Sequence, residues 1–336
     1  MEIIQITFGK DKTKIIKGVA VIFMIVLHVF GGSGWYEECY DLPINHNERL
    51  MNCMQSFQIC VGIFVFMIGY GYAFSKTKDW KYSIRHIKQL LSVFWIVLLL
   101  FALPAGYQSV GGGKSLILNL FGLEETLSWV SWFIYLYIWA MTVMPFMSRL
   151  IDKRPIICSL ACAIISWGLM VVIHQFIPDF FNQLEWKTLF SCLSWTPTII
   201  LGYLFAKKQL FQKMRIKNHK AIPYVAILLI LGVLYAKNIF TGFLIFNADI
   251  LYATVIIGCI LIIFSQYELK WASRLFQEFG DKSVYMWFVH ALFLTAATRH
   301  VYQQFIIVSD NLWIIAIWTI LLSYIISLII KKIVEI

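Results

Sequence analysis

Apolar stretches long enough to cross a bilayer recur through this chain, and they decide what it can fold into. They run roughly over 15–34, 56–75, 86–105, 128–148, 156–177, 188–206, 221–240, 245–265, 283–301 and 311–330. A spanning helix needs about 20 mostly apolar residues. In hydrocarbon each backbone N–H and C=O must find its partner inside the protein, and a continuous apolar stretch achieves that as an α-helix. The pattern therefore predicts an all-α, polytopic transmembrane bundle of about ten helices, read as one membrane domain over 1–336. The composition agrees, since 60% of the 336 residues are hydrophobic and 14% are Asp, Glu, Lys or Arg. Soluble domains carry roughly 25% charged residues. A surface this apolar would make a water-soluble protein aggregate, whereas lipid solvates it.

The formal net charge is +10. With the N-terminus inside and the spans alternating, all of the 28 Lys and Arg except Arg49, Lys114, Lys187, Lys237 and Arg299 fall on the cytoplasmic side. Cytoplasmic loops are where membrane proteins concentrate Lys and Arg. Both termini are thus expected in the cytoplasm. No nucleic-acid partner is expected, because no soluble basic domain remains to bind one. The first apolar stretch has the basic start of a signal peptide. It lacks a small-residue cleavage site, and His28 interrupts its apolar run, so it reads as an uncleaved first helix. Of the outer loops, the one over about 35–55 holds Cys39 and Cys53, which can pair as a disulfide or stay as thiols. The other, over about 106–127, holds Gly111-Gly112-Gly113. Without the Gly-Lys-Ser/Thr ending of a phosphate loop, that triplet reads as a turn. Cys158 and Cys162 stand four residues apart with no His or second Cys pair to complete a metal set, so no metal is expected.

Ionisable side chains at membrane depth are costly and mark candidate sites. Lys17 and His28 are eleven residues apart on the first helix, which places them on nearly one face and about 16 Å apart along the axis. A neutral imidazole can accept a proton from a hydroxyl near pH 7. A single His in an apolar helix can also be a packing residue. Arg85 and Lys88, three apart at the start of the third helix, form either an ordinary basic flank or a clamp for phosphates. Arg suits the clamp because its planar fork binds phosphate oxygens in pairs. In the ninth segment, Ser283-Val284-Tyr285-Met286-Trp287-Phe288-Val289-His290 carries a second His within an apolar run. Two such residues point to a polar cavity in the bundle. Trp129, Trp132, Tyr135, Tyr137 and Trp139 crowd the fourth segment, and for most of them an interfacial belt with packing is the expected role.

In these residues the chain resembles the acyltransferase family 3 of bacterial membrane O-acyltransferases, over about 12–330. Lys17 followed after ten residues by His28 is similar to the family's opening signature, with Lys where most members have Arg. Phe64-Val65-Phe66-Met67-Ile68-Gly69-Tyr70-Gly71 resembles an aromatic-rich run that usually ends in Ser-Gly-Tyr; Ile68 stands at the Ser. Arg85 to Lys88 resembles a paired basic motif, Trp132-Phe133 a Trp-Phe pair, and Ser283, Tyr285 and His290 a late Ser, Tyr and His element. The chain ends soon after its tenth segment, and the resemblance is to members without an appended hydrolase-like domain.

The resemblance implies a multi-pass enzyme of the bacterial inner membrane. It would transfer an acyl group, acetyl above all, from cytoplasmic acyl-CoA to a hydroxyl of a surface or secreted polysaccharide or its lipid-linked precursor. Acetyl-CoA is then a donor substrate, with no bound cofactor. Lys17, Arg85 and Lys88 are expected at the CoA phosphates. His28 is expected to act as general base or transient acyl carrier, and Trp132, Ser283, Tyr285 and His290 to line the substrate cavity. The alternative is a polysaccharide exporter or flippase of the same fold family.

Overall fold

The computed structural model describes residues 3–31, 48–243, 246–267 and 269–335. In chain order the helices are α1 (Lys10–Phe30), α2 (Glu48–Ala73), α3 (Trp80–Ser109), α4 (Gly113–Leu120), α5 (Trp132–Lys153), α6 (Pro155–Phe176) and α7 (Leu184–Lys208). They continue as α8 (Ile222–Ile239), α9 (Asp249–Gln266), α10 (Lys270–Asp281), α11 (Ser283–Leu294), α12 (Ala296–Tyr302) and α13 (Leu312–Val334). Among the described residues, nine of these are long and apolar enough to cross a membrane, and α11 is a shorter apolar helix of 12 residues. The protein is a polytopic helical membrane bundle, as the hydropathy pattern predicts. Its outward faces are apolar: Ile157, Leu160, Ile164 and Leu228 are all exposed, which suits lipid and not water.

Three segments differ from the sequence reading. Helix α1 ends at Phe30, and the predicted extension to 34 runs into 32–47, outside the described residues; Cys39 and its pairing with Cys53 also fall there. Residues 128–131 are not helical, and α5 begins only at Trp132. Just upstream, Asn119 Oδ1 accepts from the Leu127 N–H at 3.0 Å, a side-chain bond that competes with helix formation. The ninth segment breaks at Thr295, whose backbone is extended, before α12 continues it. Elsewhere, hydroxyls inside the spans bond back to their own helix: Thr196 Oγ1 donates to the Cys192 carbonyl at 2.8 Å and Thr319 Oγ1 to Ile315 at 2.7 Å. This satisfies a polar group where lipid offers no partner.

The chain forms two compact units, each assembled from three stretches. One comprises Met1–Ala20, Ile59–His86 and Leu136–Gly280; the other comprises Val21–Gln58, Ile87–Tyr135 and Asp281–Ile336. In the first unit, β1 (Ile3–Gln5) pairs antiparallel with β2 (Arg215–Lys217). Helices α2 and α7 touch backbone to backbone there. A Cβ on Gly69 would overlap the Ile199 carbonyl, and one on Gly202 would overlap the Phe66 carbonyl. Between helices in lipid the hydrophobic effect gives no drive, so close van der Waals packing through small residues takes its place. Gly202→Leu is accordingly expected to force the pair apart at a cost of about 3 kcal/mol or more. Thermal unfolding in nanodiscs checks this, and an unchanged midpoint would contradict it.

An acid near the end of α5 ties down basic residues before α3 and at the end of α7 in this unit. Asp152 accepts from Lys78 at 3.0 Å, Lys207 at 3.0 Å and Tyr203 Oη at 2.8 Å. In the second unit, α11 is buried nearly all round, from Met286 to Leu294. It packs against α13 and, through Phe288, against Phe94 of α3, with ring centroids 5.2 Å apart.

Candidate active site

His28 and His290 meet inside the second unit. His28 lies in the last turn of α1, and His290 lies in the middle of α11, fully buried. His28 Nδ1 stands 2.7 Å from His290 Nε2, and the two rings are nearly parallel, with an interplanar angle of 6°. His290 Nδ1 lies 3.2 Å from the Met286 carbonyl oxygen.

These contacts assign the protons. A carbonyl oxygen only accepts, so His290 Nδ1 carries hydrogen and donates to Met286. A neutral imidazole holds one N–H, so His290 Nε2 keeps its lone pair and accepts. His28 Nδ1–H is then the donor between the rings, and His28 Nε2 is left with a lone pair. Fixing a tautomer through the opposite ring nitrogen is how proteins aim an imidazole base. The arrangement presents one basic nitrogen, on the partly buried His28, braced by a fully buried partner.

Trp129 packs on this pair. Its ring stands at 74° to His28 with centroids 4.1 Å apart, and its centroid is 6.4 Å from that of His290. It is delivered by the non-helical segment between α4 and α5. Glu124 Oε1 accepts from Ser115 Oγ and Thr126 Oγ1, both at 2.6 Å. Asn119 Oδ1 accepts from the Leu127 N–H at 3.0 Å. Gly122 takes φ +70°, where a Cβ would also overlap the Ser131 carbonyl, so only glycine closes this turn without strain.

The other residues singled out in the sequence are spread more widely. Trp132 stands edge-on to Phe133 at 6.0 Å, and the Phe133 ring is 4.4 Å from Trp287 on α11. Ser283 is buried at the start of α11, seven residues before His290 and so on the same face about 10 Å away. Tyr285 is partly buried and lies about 140° round the helix from His290. Arg85 and Lys88 are exposed on α3, with the Arg85 guanidinium 5.8 Å from the Tyr82 ring. Lys17 is partly buried on α1, at the axial distance from His28 that helix geometry sets. The structure thus joins the two histidines and adds Trp129, which the sequence reading left among the belt aromatics. Nothing in its spacing marked it, because the segment that carries it is not periodic.

Comparison with known proteins identifies the family. A family model described as an acyltransferase domain matches residues 14–332. Searches of curated proteins and of solved structures find no match. A match over nearly the whole chain, on a helical membrane bundle, means that the protein belongs to acyltransferase family 3 and is a membrane acyltransferase.

Proposed function

We propose that the protein is an O-acetyltransferase of the bacterial inner membrane. In this reading it moves the acyl group of cytoplasmic acetyl-CoA, or another acyl-CoA, to a hydroxyl of a surface or secreted polysaccharide or its lipid-linked precursor. The 2.7 Å bond between His28 and His290 carries the reading, because it leaves His28 Nε2 as an oriented base. The sugar hydroxyl gives its proton to Nε2 as its oxygen adds to the thioester carbonyl. The carbon–sulfur bond then breaks, and the imidazolium returns the proton to the departing thiolate. The products are the ester and free CoA, and no further reactant is consumed.

Position along α1 supports an acceptor on the far side from the basic loops. His28 is eighteen residues beyond Lys10, or about 27 Å along the axis, close to the end away from the clustered Lys and Arg. Lys17 on α1, with Arg85 and Lys88 near the start of α3, are the basic side chains proposed for the CoA phosphates. His290 braces the base, while Trp132, Ser283 and Tyr285 are the side chains proposed for the substrate path.

The test is covalent. Cells lacking the gene are complemented with the parent protein or with His28→Ala at equal membrane levels, and their surface glycan is analysed by mass spectrometry. Acetyl groups are expected with the parent and not with the variant. Normal acetylation with His28→Ala would remove the proposal. Loss of surface glycan from cells without the gene, with acetylation of the internal pool intact, would favour an exporter.

A further inference from the structure

The indole nitrogen of Trp129 is buried, and its N–H has no hydrogen-bond partner among the described residues. A buried donor left unpaired costs about 1–3 kcal/mol, so its persistence asks for a reason. The residue that bears it lies outside any helix. It stands against His28, at the end of a segment that Glu124 and Asn119 hold by side-chain bonds. Non-helical backbone at membrane depth is tolerated where it is buried in protein or lines a cavity. Here two hydroxyls, a carboxylate and an amide are committed to placing one aromatic ring beside the proposed base.

We propose that Trp129 is a catalytic residue whose Nε1–H donates to the carbonyl oxygen of the acyl thioester, as the electrophilic partner of His28. This rests on the acyl-transfer reading above. As the acceptor oxygen adds to the carbonyl carbon, the C=O double bond becomes a C–O⁻ single bond, and the indole N–H holds that oxygen. When the carbon–sulfur bond breaks, the electron pair leaves with sulfur, the double bond re-forms and the hydrogen bond slackens. The indole is neutral and keeps its proton throughout, so the site needs no second titrating group. It acts by placing a fixed donor where charge develops. The Glu124 and Asn119 bonds act through it as positioning contacts, since they set where the ring stands.

Two measurements on full-length protein in nanodiscs test this. The first replaces Trp129 with 3-benzothienylalanine, which keeps the ring's shape and exchanges N–H for sulfur. A fall in kcat of about 100-fold is expected, the size seen when one such donor is lost, with the KM for acetyl-CoA within about twofold. An unchanged kcat would overturn the proposal. The second does not depend on turnover. With ¹⁵N-labelled tryptophan, the Trp129 indole N–H resonance is expected to move downfield when a ketone analogue of acetyl-CoA, with CH₂ for sulfur, is added. It is not expected to move with CoA alone. Equal response to both compounds, or to neither, would overturn the proposal. If the resonance responds to the ketone while His28→Ala keeps full transfer, the indole contact stands and the base assignment falls.

Discussion

Alanine at His28 is expected to lower kcat for acyl transfer by roughly 1,000-fold, the middle of the range for a lost general base, and adding His290→Ala should cost little more. The reason is the direction of the hydrogen bonds. In the proposed reaction His290 acts through His28: it accepts the Nδ1–H at 2.7 Å and so leaves the Nε2 lone pair for the acceptor hydroxyl. Without His28, that service has nothing to act on. In the single variant His290→Ala the base remains but its tautomer and ring orientation are free, and a loss of roughly 10- to 100-fold is expected, as for other groups that orient a working histidine. His290→Gln should recover part of it, because a side-chain carbonyl oxygen can still accept from Nδ1. CoA release by purified protein in nanodiscs measures all four chains, with chromatography confirming equal folding. Losses that simply multiply in the double variant would mean that the two rings work separately. Groups that act as a unit are strongly non-additive.

The second large effect is on stability. Lys237 and Asp249 form an ion pair at 2.5 Å with each side chain only 4% exposed. Lys237 sits in the last turn of α8 and Asp249 in the first turn of α9, so each charge also opposes its own helix dipole favourably. Asp249→Ala strands a buried ammonium and is expected to cost about 3–5 kcal/mol. The double variant Lys237→Met with Asp249→Leu should recover most of that, because it removes both desolvated charges together. Thermal unfolding in nanodiscs distinguishes the cases. Should the double variant be as unstable as Asp249→Ala, the damage would lie in packing and not in the stranded charge. The aspartate is well placed for packing too, since a Cβ on Gly62 would come within 3.1 Å of its own Cβ.

Much of this architecture is written in local sequence. Continuous apolar stretches of spanning length are a property of consecutive residues, and lipid leaves them one regular backbone form. The ten-residue gap between Lys17 and His28, with the ordered motifs after it, also placed the chain in its family before any coordinates. Pairing is a different matter. His28 and His290 are 262 residues apart, and Lys237 was just one of the few cations assigned to the outer side. Whether two distant side chains meet depends on how each helix is rotated about its axis and shifted along it. Small residues such as Gly69 and Gly202 set those quantities through backbone contact, and they leave no periodic trace of which partner they admit. Trp129 was hidden for a related reason: turns held by single side-chain bonds have no repeat to read. Hydropathy therefore determined that the chain crosses a membrane and where. Only the packed helices decided which two imidazoles meet and which indole stands against them.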